Sequence, residues 1–217
     1  MGSRSRQPNS GVAVNPCKGI SRNPESKRER YVEHEEYAVI RKRAVKSVRA
    51  LMDLVYRTLQ RPEDIIEWGP KNIVRKREPD GSVRRVIRND QAKTGAIVDI
   101  LITPEIDSIL ADLNATVAAG PGMPFLHTRK GEPYTYAGLS AMFRRYVANS
   151  LSKGDIRESF TLYDLKGKGA TDMWLRGTPL EIIQVLCGHD SVTTTEKYVK
   201  TRWRGTVEPN RTDMSVG

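Results

Sequence analysis

Apolar positions recur along this chain with two different periods. From Glu33 to Leu59 the residues Tyr37, Ile40, Val45, Val48, Leu51, Leu54 and Val55 fall at helical spacing, which predicts one or two helices ending near Leu59. From Lys71 the pattern changes. Ile73–Arg77, Val83–Arg88 and Ile97–Ile102 are short β-prone runs, punctuated by Pro79-Asp80-Gly81 and by a tight reversal at Lys93-Thr94-Gly95. They predict a three-stranded antiparallel sheet. Helical spacing then returns. Pro104 opens a helix over Glu105–Ala118 with Ile106, Ile109, Leu110 and Leu113 on one face, and Ala119-Gly120-Pro121-Gly122 breaks it. Ala137–Asn149 follows, with Leu139, Met142, Phe143, Tyr146 and Val147 as its apolar face. Three further helices are predicted over Leu162–Leu175, Pro179–Leu186 and Thr193–Lys200. The expected fold is α+β: a mainly α-helical domain with one small three-stranded antiparallel sheet near its N-terminal side.

The flanks have a different composition. Residues 1–30 are rich in Ser, Asn, Gly, Pro and basic side chains without a sustained apolar period, and read as an exposed basic linker in which Val12, Val14, Cys17 and Ile20 can pack locally. Residues 31–200 read as the folded domain, and 201–217 as a polar tail. No apolar run approaches the roughly 18 residues of a membrane span, and no signal-peptide core is visible, so no membrane partner is expected. Cys17 and Cys187 lie far apart without metal-type spacing. Neither a disulfide framework nor a zinc site is expected, and a cytoplasmic location follows. The net charge of +10 adds a polyanionic partner, nucleic acid being the commonest. The charge is loaded on the first segment and on Lys71–Lys93, where Arg75, Lys76, Arg77, Arg84, Arg85 and Arg88 crowd together.

Candidate chemistry concentrates in Pro179–Lys200. This stretch reads as a helix ending near Gly188, then His189, then a polar start with Thr193-Thr194-Thr195 that opens a helix carrying Tyr198. It resembles the last conserved boxes of the tyrosine recombinases, the phage integrase family, in which a Leu-Gly-His turn precedes a Thr-rich helix start and tyrosine stands nine residues after histidine. Cys187 takes the place of the leucine; the spacing from His189 to Tyr198 is kept. Arg61-Pro62-Glu63-Asp64, with Ile65, Ile66 and Trp68 as a packed face, resembles the family's arginine box. Lys93-Thr94-Gly95 resembles its hairpin lysine, and Thr161–Met173 occupies the place of its His-x-x-Arg helix. The resemblance spans about Asn15 to Lys200. Type IB topoisomerases share the nucleophile chemistry, but the spacing from Gly-His to Tyr favours recombinases.

The resemblance implies site-specific DNA cleavage and rejoining through a 3′-phosphotyrosyl link. Attack on a phosphodiester builds negative charge on the non-bridging oxygens, and preorganised cations and donors there supply most of the catalysis. Carried onto this chain, Arg61 and Lys166 face the phosphate, His189 serves the phosphate and proton traffic, Lys93 protonates the leaving 5′ oxygen, and Tyr198 is the nucleophile. The link conserves the energy of the broken bond, so neither ATP, cofactor nor metal ion is implied. The implied partners are double-stranded DNA attachment sites and further copies of the chain, as a tetramer on paired sites; no small-molecule substrate is implied.

Two departures keep a second reading open. In the His-x-x-Arg helix Tyr163 stands where histidine is usual and Lys166 where arginine is usual. An ammonium is a point donor and does not reproduce the flat fork of a guanidinium. Lys168 lies about 200° further round the helix and is a poor substitute. Residues 12–31 also look like the end of a linker from a core-binding domain with almost nothing before it, which would weaken site recognition. The alternative is a shortened or decayed integrase remnant that binds DNA without efficient catalysis. At the level of single residues, Arg61 could instead be a surface ion-pair partner of Glu63 or Asp64, Lys93 a solvated hairpin lysine, His189 a helix cap and Tyr198 a packed aromatic.

Overall fold

A computed structural model describes residues 30–115, 120 and 122–200. Residues 1–29 and 201–217, and with them the expected linker and tail, lie outside the described residues. The first helical stretch is broken at Ala44, whose extended backbone separates α1 (His34–Arg43) from α2 (Lys46–Thr58). A short helix α3 (Pro62–Ile66) follows, with Pro62 at its first position where the missing N–H costs nothing. The sheet has the order β1-β2-β3, antiparallel throughout, with β1 at Ile73–Arg77, β2 at Val83–Asp90 and β3 at Ile97–Leu101. Then come α4 (Pro104–Asn114), α5 (Tyr136–Ser152), α6 (Leu162–Leu175), α7 (Leu180–Cys187) and α8 (Val192–Lys200). The helix expected over Glu105–Ala118 therefore ends sooner, with Ala115 already in a turn; residues 116–119 are not described.

Burial follows the two periods. One face of the sheet gives Ile87, Val98 and Ile100 to the main core, where they join Leu51, Leu54 and Val55 of α2, Leu139, Phe143 and Val147 of α5 and Leu162 and Leu165 of α6. On the other face, Arg88 and Lys76 both pair with Asp99 across the strands, at 2.8 and 3.1 Å. A second, smaller apolar cluster joins Leu59, Ala170, Ile183, Cys187 and Val199, and Tyr198 packs against it. This cluster brings the end of α2 together with α6, α7 and α8.

Helix α6 runs through the middle of the domain. Its start is closed by Thr161, whose backbone N–H and hydroxyl both donate to Asp164 at 2.7 and 2.8 Å. The helix approaches α2 so closely that a Cβ on Gly169 would stand 2.1 Å from the carbonyl oxygen of Tyr56. Lys166 and Lys168 leave it in different directions, as their angular separation requires. Lys168 is fully buried, 3.3 Å from Asp172 and 3.0 Å from the Tyr31 hydroxyl, and Asp172 also accepts from Tyr31 and Tyr56 at 2.6 and 2.8 Å. The α2–α6 approach sets a test: Gly169→Ala forces the two backbones apart and is expected to cost about 3 kcal/mol, read as a lowered urea midpoint.

Candidate active site

Arg61 is placed by an unusual bend. Leu59 ends α2 in the left-handed region at φ 56°, an outlier among the non-glycine residues described. That conformation costs an ordinary side chain about 1–2 kcal/mol, and here the full burial of Leu59 in the second apolar cluster holds it. The chain then turns through Gln60 to Arg61, which caps α3. The Arg61 guanidinium donates from Nη1 to Gln91 Oε1 at 3.0 Å and lies 3.9 Å from Asp64. The expected alternative of an ion pair with Asp64 is thus present as a long, largely enclosed contact beside the amide bond. Its side chain is largely enclosed, yet only this one hydrogen bond occupies it among the described residues, and the remaining donors of the fork are available.

His189 is placed by the end of α7. Gly188 adopts φ 65°, and the His189 N–H bonds back to the Gln184 carbonyl at 3.1 Å, a helix stop that favours glycine. The imidazole Nδ1 lies 2.9 Å from the Thr195 hydroxyl, and the ring meets that of Tyr198 edge-on, 5.6 Å between centroids. His189 thus caps a helix with its backbone while its ring reaches α8. Burial, and then the positive charges of Lys166 and Arg61, pull its pKa down to about 4. The ring is neutral at neutral pH and able to take a proton.

Lys166 is buried on α6, its ammonium donating to the Cys187 carbonyl at 3.3 Å. Burial, reinforced by Arg61, lowers its pKa, while Cys187 and Asp64 act in the opposite sense. Arg61, Lys166, His189 and Tyr198 are thus gathered around the α7–α8 turn. Lys93 is in a different situation. It is exposed at the β2–β3 reversal and makes no hydrogen bond or ion pair among the described residues. Its turn is tethered to Arg61 through Gln91, whose Oε1 also accepts from the Thr94 hydroxyl at 2.8 Å. Asp64 adds a weaker tether, accepting from the Ala92 N–H at 3.4 Å.

Tyr163, at the position usual for histidine, is 41% exposed and donates its hydroxyl to Glu63 at 2.7 Å. Its ring stands edge-on to Tyr136, 6.4 Å between centroids. Burial and the Glu63 carboxylate push its pKa upward, so the phenol stays protonated and acts as a donor. Sequence reasoning missed three participants: Thr195 on the His189 ring, Glu63 on Tyr163, and Gln91. The Thr193–Thr195 run signalled the helix start without showing which hydroxyl turns inward.

Comparison with known proteins bears on this arrangement. A family model described as the phage integrase family matches residues 30–203. Similar solved structures include a lambda integrase dimer bound to a COC′ core site, at 19% identity and TM-score 0.65, covering 83% of this chain and 51% of that one. A lambda integrase tetramer bound to a Holliday junction matches at 21% identity and TM-score 0.66, covering 87% and 54%. The XerH site-specific recombinase bound to palindromic difH substrate matches at 17% and 0.59, covering 77% and 48%. At such identities the likeness establishes the fold, and this chain spans about half the length of each of these relatives. No curated protein matches it.

The depressed pKa of His189 gives a direct test. Because the folded value lies below the ordinary 6.5, the unfolded chain binds the proton more readily in between. The stability contributed by the neutral ring is present above the ordinary value and lost as pH falls towards about 4. A histidine ring resonance with a midpoint near 4, absent in His189→Asn, is expected in NMR titration. Inorganic phosphate, by placing an anion among these cations, is expected to raise that midpoint; an ordinary midpoint in the free protein would contradict the arrangement described.

Proposed function

Since the chain belongs to the phage integrase family, we propose that it cuts and rejoins duplex DNA at specific sites through a covalent 3′-phosphotyrosyl intermediate on Tyr198. The observation that carries the reading is the gathering of the Arg61 and Lys166 charges about His189 at the α7–α8 turn, with the His189 ring against the Tyr198 ring. The lambda integrase and XerH relatives were solved bound to DNA, in one case as a tetramer on a Holliday junction, which supports duplex attachment sites and a tetrameric assembly on them. Residues 31–200 form the catalytic domain in this reading, entered from a basic linker at 1–30. The chain acts in the cytoplasm; among the described residues no helix is long and apolar enough to cross a membrane.

The reaction uses each group for one task. A phenol with an ordinary pKa near 10 is a poor nucleophile at neutral pH and loses its proton as it attacks. The neutral His189 ring receives that proton, directly or through a phosphate oxygen. The Tyr198 oxygen bonds to phosphorus, and the bond to the 5′ oxygen breaks. Lys93, the exposed cation on a turn tethered to Arg61, protonates the departing 5′ oxygen. Arg61 presents its unused N–H groups to the non-bridging oxygens, and the Tyr163 hydroxyl, aimed by Glu63, lies at the edge of the same region. Rejoining runs the steps backwards with a new 5′ hydroxyl.

One observation favours the second reading of a DNA-binding remnant. Lys166 is buried and its ammonium is engaged by a carbonyl, whereas a guanidinium at that position would reach two phosphate oxygens. Covalent trapping separates the two. Incubation with supercoiled plasmid and nicked duplexes, quenched with detergent, is expected to give a protein–DNA adduct. The adduct should vanish in Tyr198→Phe and form about 10²–10³ more slowly in Arg61→Ala. An adduct obtained only from Tyr163→His/Lys166→Arg would replace the active reading with the remnant.

A further inference from the structure

Strand β2 is followed directly by Gln91, which is 1% exposed and whose side-chain amide is used to capacity. Its Oε1 accepts from Arg61 Nη1 at 3.0 Å and from the Thr94 hydroxyl at 2.8 Å. Its Nε2 donates to Gln60 Oε1 at 2.8 Å and to the Cys187 carbonyl at 3.1 Å. The backbone of the same residue closes the reversal that carries Lys93. The Gln91 N–H donates to the Ala96 carbonyl at 2.9 Å, and the Gln91 carbonyl accepts from Gly95 and Thr94 at 2.8 and 3.2 Å. On its remaining side the amide packs against Gly188 so tightly that a Cβ there would lie 2.4 Å from Nε2. One buried amide therefore touches Arg61, the turn of Lys93 and the residue preceding His189.

We infer that Gln91 is a positioning residue that sets Arg61, the Lys93 turn and the His189 loop in one fixed register for the reaction. An amide suits the task better than a carboxylate. It fixes the guanidinium without cancelling its charge, so the positive field meant for a phosphate survives. It also supplies two donors, one for the Cys187 carbonyl at the end of α7 and one for Gln60, which a carboxylate lacks. With Nη1 anchored on one side, the Arg61 fork is left with its other donors in a defined plane. The role rests on the recombinase reading for the chemistry it serves, but the geometry it maintains exists in the free protein.

Asn89 supplies a matched control. It is equally buried and belongs to the same amide network, donating to Gln60 Oε1 at 2.8 Å and accepting from Trp68 Nε1 at 2.8 Å, but among the described residues its side chain makes no hydrogen bond to Arg61, Lys93 or His189. Gln91→Met keeps the volume and removes all four hydrogen bonds, and Asn89→Ala damages the network without releasing Arg61. Two measurements are made on both variants. In the adduct assay, scaled to bound DNA, Gln91→Met is expected to lose about 10²-fold, the usual scale for misplaced reacting groups. Asn89→Ala should stay within about threefold. In the DNA-free protein the His189 midpoint is expected to rise in Gln91→Met, because a released Arg61 no longer repels the imidazolium, and to hold in Asn89→Ala. Parallel losses in the two variants, or an unmoved His189 midpoint in Gln91→Met, would make Gln91 a packing residue and overturn the inference. A wild-type chain that forms no adduct would defeat the recombinase reading alone, since the DNA-free titration still decides the role of Gln91.

Discussion

The candidate site is organised around a single backbone carbonyl, that of Cys187. It is the last residue of α7, where helical carbonyls have no partner of their own and the helix dipole is negative. Two side chains from elsewhere donate to it, Lys166 of α6 and Gln91 just past β2. A buried ammonium needs an acceptor, and most buried lysines meet a carboxylate. Lys168, two residues on, does so with Asp172. Lys166 instead receives a neutral dipole, and Arg61 likewise bonds an amide while Asp64 remains at 3.9 Å. The cations of the site are held chiefly by neutral groups, with Asp64 as a more distant counter-charge.

Burying these groups and holding like charges together both cost stability: burial is the main cause of the lowered pKa values of Lys166 and His189, and Arg61 adds to it in both cases. Apolar packing offsets it locally. The second cluster, with Leu59, Ala170, Ile183, Cys187 and Val199 all buried, draws together the four helices that deliver these groups. It also holds Leu59 in a left-handed conformation, so that the chain leaves α2 at the angle Arg61 requires. The same logic applies to Gly169 and Gly188. Each removes a Cβ where two backbones or a backbone and an amide must meet, and each lies within a few residues of a site residue, Lys166 or His189.

Periodicity carried most of the fold, because strands and helices here bury one face and expose the other. Helix α6 runs over Leu162–Leu175 as expected, and β1 over Ile73–Arg77. Angular spacing was also enough to separate Lys166 from Lys168. What could not be read were contacts between residues far apart in the chain. The bond from Gln91 to Cys187 spans 96 positions and that from Tyr163 to Glu63 spans 100. Leu59 gave no signal at all, since a leucine closing a helix suggests nothing of a positive φ; only its tertiary packing imposes one. The short helix α3 was legible through Arg61-Pro62-Glu63-Asp64, a local pattern, whereas the tether from Asp64 to Ala92 was not.

The two departures from the family pattern act on the same balance of charge. A histidine and an arginine in place of Tyr163 and Lys166 would add a titrating ring and a second fork. Tyr163 instead offers a permanently protonated hydroxyl whose proton is already committed to Glu63, and Lys166 offers one compact charge beneath the surface. The free site is thus left with fewer donors and a positive field that Asp64 offsets only in part. In the proposed reaction the missing counter-charge arrives with the DNA phosphate. Its entry relieves the repulsion among Arg61, Lys166 and His189 and favours the imidazolium over the neutral ring, so that phosphate binding and proton uptake at His189 are linked in sign. A site built in this way is strained while empty and relaxed when filled. That explains why its cations are restrained by carbonyls, amides and hydroxyls, which the phosphate does not need to displace as it would a carboxylate.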